Sequence, residues 1–255
     1  MNAQTRREKI VQFVNANGEV SFSAIKSILP DVSDMTIRRD LDFLGQNNAL
    51  IRVFGGAKSI ELFVGASEAA YAKRSIDHVA NKEIIARKAT SLIKNDSVIF
   101  LGSGTTTTEL AKIFPNGRYY VVTTGLNCAI ELSSRPDVSV IMVGGSVNKN
   151  SFCVNGTMAS TMIEDMHFSL ALLGTSGYLI GKGFTTSVAE DYMIRKQVVE
   201  QSDCTAILMD SSKYGKVGSN LLTFVKTGRV TYLVSDDDLP AKAHDEMELN
   251  GVTVL

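Results

Sequence analysis

The 255-residue chain lacks the features that mark several classes of protein. Its three cysteines, Cys128, Cys153 and Cys204, are an odd number without metal-site spacing, so we interpret them as buried reduced thiols. The first residues have no apolar core behind a basic start, and no apolar run approaches the length of a membrane span. We therefore expect a cytoplasmic protein without a signal peptide or a membrane-spanning segment.

The chain also has no large excess of positive or negative charge. The net charge is −1 overall, and residues 1–58 contain eight Lys or Arg against six Asp or Glu. Nonspecific coating of DNA depends on neutralising many phosphates, and so small an excess of cations argues against it. Any DNA binding by this part of the chain is expected to be sequence-specific and to use a multimer.

Residues 33–44 have the pattern of a short helix with a capped start, an apolar side and a basic side. Ser33 is a good N-cap residue, because its hydroxyl can accept a backbone N–H of the first turn. Helical spacing groups the apolar residues on one side: Ile37, Leu41 and Leu44. The flank and the opposite side carry Met35, Thr36, Arg38 and Arg39. This pattern is typical of a DNA recognition helix; the alternative is a surface helix with two solvated arginines.

The flanking sequence predicts a winged helix around this segment. A helical pattern over residues 2–16 stops at Asn17-Gly18, and a second capped helix starts at Ser21. Pro30-Asp31 makes the turn into Ser33. Residues 49–56 form a β-prone ribbon that ends in glycines. Two helices joined by a tight turn, with a helix before them and a ribbon after them, are the parts of a winged helix-turn-helix domain.

The order of residues in this region resembles a known family. Val-Ser-Asp-Met-Thr-Ile-Arg-Arg-Asp-Leu at 32–41, followed by Ile-Arg-Val-Phe-Gly-Gly-Ala at 51–57, closely resembles the N-terminal signature of DeoR-type bacterial transcriptional regulators. The resemblance implies a recognition helix at 33–44 and a wing at 52–57. Phe54 replaces the histidine of many members, a change expected to alter a wing contact and not the fold. The expected DNA-binding residues are Ser21, Ser33, Met35, Thr36, Arg38, Arg39, Arg52 and Lys58.

From residue 78 onward, short apolar runs alternate with helical segments. The runs lie at 98–101, 120–122, 138–143, 170–173, 206–209 and 230–234, and the helices between them at 106–114, 126–133, 188–200 and 241–249. Strands that are apolar throughout are buried on both faces of a parallel sheet. We therefore expect a winged helix-turn-helix domain over 1–57, a linker over 58–77, and an α/β domain with helices on both faces over 78–255.

In open α/β sheets, ligands bind beyond the carboxyl ends of the strands. The first such end, residues 102–108, combines glycines and hydroxyls just before a helix, which favours a phosphate. The alternative is an ordinary strand-to-helix turn with threonine caps; the turn is neither a Walker motif nor a dinucleotide fingerprint. Four further strand ends are small and polar: 123–125, 143–145, 174–177 and 210–216. Five such ends at one edge predict a pocket.

Lys213 follows one of these strand ends, where its ammonium group can reach a phosphate, although a lone lysine in a turn is more often only solvated. The resemblance favours the phosphate. Ser-Gly-Thr-Thr at 103–106, Gly-Gly at 144–145 and Asp-Ser-Ser-Lys-Tyr-Gly at 210–215 are similar to the effector-domain motifs of DeoR-type regulators. The resemblance implies a fold shared with ribose-5-phosphate isomerase and the CoA transferases. It also implies a phosphorylated sugar or related metabolite as effector and assembly into dimers or higher homo-oligomers.

The chain departs from the family pattern at two strand ends. Many members carry Asp in place of Gly102, and Gly-Ala-Asp-Gly at 174–177. Glu190 then remains as a hydroxyl acceptor or, in the alternative, as a solvated helix charge. The expected effector-binding residues are Gly102, Ser103, Gly104, Thr105, Thr106, Thr107, Thr124, Gly144, Gly145, Thr175, Ser176, Glu190 and Lys213.

An isomerase-like enzyme with an appended DNA-binding domain is the alternative function. Proton transfer in a sugar phosphate needs a carboxylate pair at the pocket, whereas the strand end at 174–177 offers only Thr175 and Ser176. The three histidines, His78, His167 and His244, lie beside none of the phosphate-like turns, and we interpret them as surface or packing residues. We expect no catalytic residue, metal or cofactor. A winged helix used only for protein contact would leave the pocket without a purpose.

The sequence therefore predicts a repressor of carbohydrate-metabolism genes. Its binding to double-stranded operator DNA is expected to be controlled by a phosphorylated sugar. One winged helix supplies few contacts, so a dimer is expected to bind half-sites about 34 to 36 Å apart.

Overall fold

The structure is a computed structural model that describes residues 2–46, 49–53, 55–59, 71, 74–149, 151–187, 189–215 and 222–255, without the side chains of residues 46, 51, 189 and 190. The chain divides into two compact units, Met1–Ala70 and Tyr71–Leu255. Within the expected linker at 58–77, Lys58 ends a strand, whereas Tyr71 and residues 74–76 are helical. None of the helices in the described ranges has the length and hydropathy needed to cross a bilayer.

The first unit is a small helical bundle with a three-stranded antiparallel ribbon. Its elements are α1 (Ala3–Asn17), β1 (Glu19–Ser21), α2 (Phe22–Ile28), α3 (Asp34–Gln46), β2 (Ile51–Val53) and β3 (Gly56–Lys58). The strand order is β1-β3-β2. This is the expected winged helix-turn-helix, with an added strand β1 that the sequence pattern did not predict.

Capping side chains begin the three helices that the structure describes in this unit. Asn2 Oδ1 accepts the Thr5 N–H at 2.8 Å, Ser21 Oγ accepts the Ala24 N–H at 3.2 Å, and Ser33 Oγ accepts the Thr36 N–H at 3.2 Å. Each bond satisfies one of the N–H groups that a helix start leaves without an intrahelical partner. The predicted caps at Ser21 and Ser33 are confirmed.

The apolar side of α3 packs into the core of this unit. Ile37 and Leu41 are fully buried and Leu44 nearly so, as predicted, while Met35 on the opposite side is 63% exposed. Three helices therefore share one apolar centre with the ribbon. The remaining core residues are Ile10, Val14, Val20, Ile25, Leu29, Leu50 and Ala57.

The second unit contains a seven-stranded parallel sheet between two layers of helices. Its strands are β4 (Ser97–Leu101), β5 (Tyr119–Thr123), β6 (Val138–Met142), β9 (Leu170–Gly174), β12 (Thr205–Leu208), β14 (Tyr232–Val234) and β15 (Thr253–Val254), in the order β15-β14-β12-β9-β4-β5-β6. Its helices are α4 (Val79–Thr90), α5 (Thr105–Lys112), α6 (Leu126–Ser133), α7 (Thr157–Glu164), α8 (Ala189–Glu200) and α9 (Ala241–Leu249). The predicted α/β class is confirmed.

Alternate residues of the central strands pack on opposite faces of the sheet. Ile99 and Leu101 join one buried cluster with residues of α4, α5 and α6. Phe100 joins the other with residues of α7, α8 and α9. The expectation that all strands are buried on both faces is wrong for β6, because β6 is an edge strand and its alternate residues, Ser139 and Ile141, are exposed.

Two smaller antiparallel sheets follow the main strands and were not predicted. One pairs β7 (Ser146–Asn148) with β8 (Cys153–Asn155), and the other has the order β10-β11-β13, with β10 at Gly177–Leu179, β11 at Gly183–Thr186 and β13 at Leu222–Val225. Strands of three or four residues give too little periodicity for detection from sequence.

Candidate functional site

The outer side of α3 carries two exposed arginines in different surroundings. The Arg38 guanidinium lies over the Phe22 ring, 4.6 Å from its centroid, which links α3 to α2. Arg39 is exposed and makes no ion pair within the described residues. Thr36 is half-buried, and its hydroxyl hydrogen-bonds with that of Ser33 at 2.8 Å. Arg39 is therefore the more available of the two cations for a ligand.

Most other cations of this unit are already paired with carboxylates. Arg7 Nε lies 2.8 Å from Asp40 Oδ1, and Arg6 pairs with the other carboxylate oxygen. The two predicted wing cations also have partners, Arg52 with Asp42 at 3.5 Å and Lys58 with Glu19 at 3.0 Å. DNA phosphates would have to compete with the exposed carboxylates of Asp42 and Glu19 for these two cations. One winged helix therefore has few cations that are unpaired and ready for DNA.

The second unit has a polar cavity of about 330 Å³ at the carboxyl edge of the sheet. After β4 the chain builds the strands on one side, and from β9 onward it builds those on the other side. The strand order thus reverses between β4 and β9, and ligands of open α/β folds bind at such switch points. Residues at and just after the ends of both strands line the cavity: Ser103, Gly104, Thr105, Thr106, Thr107, Gly174, Thr175 and Ser176.

The start of α5 lies at this cavity, which Thr105, Thr106 and Thr107 line. Gly104 has φ 135°, a conformation suited to glycine, and it forms the N-cap. Two threonine hydroxyls, those of Thr107 and Thr108, donate to the Gly104 carbonyl at 3.0 and 2.8 Å. These hydroxyls brace the turn. The first N–H groups of the helix lack intrahelical acceptors and favour an anion.

Lys213 lies at the wall formed after β12. Its ammonium nitrogen is 3.1 Å from the Asp210 carboxylate, and both residues line the cavity. Burial alone would raise the pKa of Asp210, but Lys213 and the hydroxyl of Ser212 lower it below the usual value. Asp210 is therefore ionised at neutral pH, where it orients the lysine.

A second lysine, Lys82 on α4, also lines the cavity and is only 4% exposed. Its ammonium group donates to the carbonyls of Arg74 and Asp77. Burial lowers the pKa of Lys82, and the charge of Lys213 lowers it further. The interpretation of His78 as a residue away from the phosphate-like turns is wrong, because His78 lines the same cavity.

An ion pair on α8 forms another part of the wall. Asp191 and Arg195, both buried, are joined by a 2.5 Å contact between Nε and Oδ2, and Arg195 Nη1 donates to the Gly174 carbonyl at 2.6 Å. Sequence reasoning missed this pair. Its signal was an Asp and an Arg four residues apart on a helix that follows a polar strand end.

The predicted effector-binding residues divide by position. Eight line the cavity: Ser103, Gly104, Thr105, Thr106, Thr107, Thr175, Ser176 and Lys213. Four do not appear in its lining: Gly102, Thr124, Gly144 and Gly145. The Glu190 side chain lies outside the described residues.

Two of the glycines outside the cavity lining, Gly145 and Gly102, lie where an added Cβ would meet close neighbours. A Cβ at Gly145 would lie 2.6 Å from the Asn155 carbonyl oxygen, so this glycine permits the approach of β8. A Cβ at Gly102 would lie 3.0 Å from the Leu173 side chain.

The cysteines are free thiols, with Cys128 and Cys153 buried as predicted. Burial raises the pKa of Cys128 to about 11. Cys204, in contrast, is partly exposed, so its assignment as buried is wrong. Among the described residues, no group of three His, Cys, Asp or Glu side chains is placed to hold a metal ion.

A winged helix followed by an α/β unit with a cation-lined cavity is the architecture of a ligand-responsive DNA-binding protein. Residues 6–62 match the DeoR-like helix-turn-helix domain, and residues 77–237 match the DeoR C terminal sensor domain. The chain therefore belongs to the DeoR family of transcriptional regulators.

Curated relatives match nearly the full chain. An uncharacterised HTH-type regulator of Bacillus subtilis, YulB, is 34% identical, over 98% of this chain and 95% of the relative. GolR of Listeria innocua, an HTH-type regulator, is 30% identical over 98% and 96%. The lactose phosphotransferase system repressor of Streptococcus mutans is 30% identical over 92% and 93%.

Solved structures give a more distant likeness. Ribose 5-phosphate isomerase A of Methanocaldococcus jannaschii is 16% identical, covers 54% of this chain and 56% of its own, and has a TM-score of 0.40. A likeness at this level carries no conclusion about activity.

Proposed function

We propose that this regulator represses carbohydrate-metabolism genes and that a phosphorylated sugar, bound in the cavity of the α/β unit, controls its binding to operator DNA. The observation that carries the proposal is the convergence of Lys213 and the start of α5 on one cavity at the switch point. Point charges and free helix N–H groups are the partners that a phosphate prefers. The cavity volume of about 330 Å³ is also in the range of small-molecule sites.

On the DNA side, α3 would enter the major groove with Arg39, Arg38 and Thr36. Ser21, Ser33, Met35, Arg52 and Lys58 would contribute the surrounding contacts from the helix starts and the wing. Since few cations of one unit are unpaired, we infer that two copies bind together. The protein would act in the cytoplasm, where the DNA of a bacterial cell lies.

The effector class is tested with Lys213→Ala and a panel of phosphorylated and unphosphorylated sugars, by calorimetry and thermal shift. A ligand that binds only the folded protein raises its melting temperature. We expect the wild type to bind a phosphorylated member and the variant to bind it about 10- to 100-fold more weakly, because a charge-assisted hydrogen bond is lost. DNA selected from a random-sequence pool by the wild type should bind the variant unchanged, and the ligand should then fail to release it.

Lys182→Ala is the matched control, since Lys182 is an exposed lysine of the same unit that does not line the cavity. Its ligand affinity should equal that of the wild type. Equal ligand affinity of Lys213→Ala and the wild type would contradict the role of Lys213. No binding of any phosphorylated sugar by the wild type would contradict the effector class.

A sugar-phosphate isomerase is the second candidate, because Asp77, Asp191 and Asp210 line the cavity. Two of these carboxylates are held in ion pairs, Asp191 with Arg195 and Asp210 with Lys213. Although burial raises it, the pKa of Asp210 is lowered overall by Lys213 and the Ser212 hydroxyl, which makes Asp210 a weak general base at neutral pH. We propose that the cavity binds without catalysis. Turnover of pentose or hexose phosphates by the purified protein, lost in Asp210→Asn, would establish the enzyme instead.

A further inference from the structure

Residues 74–82, here called the leading segment, follow the DNA-binding unit in the chain and contribute four side chains to the cavity. These are Arg74, Asp77, His78 and Lys82. The segment therefore supplies a wall of the candidate effector site as well as the start of the α/β unit. A ligand in the cavity has direct access to the stretch of chain that comes after the DNA-binding unit.

The Lys82 ammonium group connects the cavity with the backbone of this segment. It donates to the Arg74 carbonyl and to the Asp77 carbonyl. An ammonium group has three N–H donors, so these two bonds leave one for a ligand. Lys82 is only 4% exposed, and no carboxylate pairs with it among the described residues. A buried ammonium group that is bonded only to carbonyls, with no carboxylate in direct contact, has a desolvation cost that a bound anion would offset.

The positive charge of Lys213 adds to the cost of keeping Lys82 charged. Its charge lowers the pKa of Lys82, after the larger effect of burial, whereas Asp210 and Asp77 act in the opposite direction. Asp210 is closest to Lys213, with which it forms an ion pair. Two ammonium groups that repel each other at one cavity attract a dianion, which can accept from both.

We propose that Lys82 is a second phosphate-binding cation and that it transmits occupancy of the cavity to the leading segment. The proposal rests on the function proposed above. A phosphate monoester dianion would bridge Lys213 and Lys82, and the third N–H of Lys82 would donate to it. Because the same ammonium group holds the Arg74 and Asp77 carbonyls, the bound phosphate would fix the conformation of the segment.

His78 gives the segment a turn that this contact can bias. It precedes α4 with φ 53° and ψ 38°, in the left-handed region that non-glycine residues rarely adopt. Such a conformation costs about 1 kcal/mol or more and persists where surrounding contacts hold it. Lys82 contacts this turn directly, because one of its two bonds is to the Asp77 carbonyl in the peptide bond that precedes His78. A ligand changes such an equilibrium by the difference in its affinity for the two conformations.

The test compares Lys82→Met, which keeps the stem and removes the charge, with Lys213→Ala and the wild type. The probe is inorganic phosphate, measured by calorimetry for affinity and by hydrogen exchange for residues 74–82. Both variants should bind phosphate at least about 10-fold more weakly than the wild type. At phosphate concentrations that saturate each protein, exchange in the leading segment should slow in the wild type and in Lys213→Ala but not in Lys82→Met.

Lys88→Met is the matched control, because Lys88 lies on the same helix and also donates to a carbonyl, that of Ser235 at 3.0 Å, without lining the cavity. It should behave like the wild type in both measurements. Lys82→Gln, which keeps an NH2 donor group without the charge, serves if the methionine variant does not fold. It should bind phosphate as weakly as expected for Lys82→Met.

Two results would overturn the proposal. If the wild type binds phosphate and Lys82→Met or Lys82→Gln binds it equally well, Lys82 is no phosphate ligand, and the proposed function still stands. If the leading segment of Lys82→Met slows like that of the wild type, Lys82 does not transmit occupancy. A wild type that binds neither inorganic phosphate nor any phosphorylated sugar would contradict this inference and the effector class together.

Discussion

At the scale of single residues, Arg38 and Arg39 are neighbours in sequence with different surroundings. The Arg38 guanidinium is stacked on Phe22, whereas Arg39 is exposed and has no ion pair in the described part of the chain. Substitution of Arg38 would remove its contact with the Phe22 ring as well as any contact with DNA. Arg39 loses no such contact, so its substitution should act on DNA binding alone.

Arg39→Ala should weaken binding to DNA selected from a random-sequence pool by about 10- to 100-fold, the loss expected for one arginine that contacts a base. Alanine favours helices, so α3 should remain intact. Fluorescence anisotropy measures the affinity, and circular dichroism checks the fold. Arg118→Ala, at an exposed arginine of the α/β unit, is the control. Undiminished affinity of Arg39→Ala would remove this residue from the DNA contacts.

Asp40 lies on the same helix, but its role is structural. It is 1% exposed and accepts from Arg6 and Arg7 of α1. Asp40→Asn removes the charge and should lower the free energy of unfolding of the winged helix by about 1–3 kcal/mol. Urea denaturation with hydrogen exchange of α1 and α3 measures it. Asp34→Asn, at a largely exposed carboxylate on the same helix, should change it by less than about 1 kcal/mol.

The ion pairs of Asp40 with Arg6 and Arg7 also predict that stability depends on pH. Burial would raise the pKa of Asp40, but Arg6 and Arg7 lower it below the usual value. A carboxylate whose pKa is lowered in the folded state stabilises it above the unfolded pKa, about 3.9, and this contribution is lost as the pH falls through the folded pKa. The difference between the wild type and Asp40→Asn should therefore be constant near neutral pH, begin to fall near about pH 4, and vanish only below the lowered folded pKa of Asp40. A difference that persists in acid would show that the charge is not its cause.

At the scale of elements, long periodic segments were predictable and short ones were not. The helix at 126–133 was predicted with the bounds that the structure gives, and six strands of the main sheet within about two residues, whereas the two-residue strand β15 was not predicted. The spacing of apolar residues in these segments follows from burial on one or two faces, and it can be seen in the sequence. The three-residue strands β7 and β8 are too short to show such a spacing. Likewise, Lys82 and His78 reach the cavity from a segment before the first strand, and no rule about strand ends includes them.

The wing depends on one close approach between strands. A Cβ at Gly56 would lie 2.1 Å from the Val20 carbonyl oxygen, in the ribbon where β3 pairs with β1. Gly56→Ala should therefore separate these strands, lower the free energy of unfolding of the winged helix by about 2 kcal/mol or more, and weaken DNA binding. Hydrogen exchange of β1 and β3 measures the effect.

Gly45→Ala is the control for that substitution. Its Cβ would meet the flexible stem of Arg52 at 3.1 Å, in a helix where alanine is favoured over glycine. It should leave stability unchanged or raise it. A Gly56→Ala protein as stable as the wild type would show that the ribbon tolerates the added Cβ.

At the scale of the whole molecule, charge determines how the regulator must bind. In the first unit, Arg6, Arg7, Lys26, Arg52 and Lys58 form ion pairs with carboxylates of the same unit. Phosphate contacts supply most of the affinity of DNA-binding proteins, and each contact requires a cation. One winged helix with so few unpaired cations should bind weakly. We therefore expect specific affinity to come from two units that the rest of the protein holds at a fixed distance and rotation.

This requirement predicts how operator spacing affects affinity. Two half-sites one helical turn apart, about 34 to 36 Å, present their major grooves on one face of the duplex. Inserting about 5 base pairs between the half-sites rotates one to the opposite face and should weaken binding at least about 100-fold, to the level of a single half-site. Inserting about 10 base pairs restores the face but not the distance, and should recover binding only if the link between the units can extend. Gel-shift titration of the three spacings, together with the mass of the complex, measures both effects. Affinity independent of spacing would mean that single winged helices bind alone, and the paired cations of this unit would then have to exchange their carboxylates for phosphates.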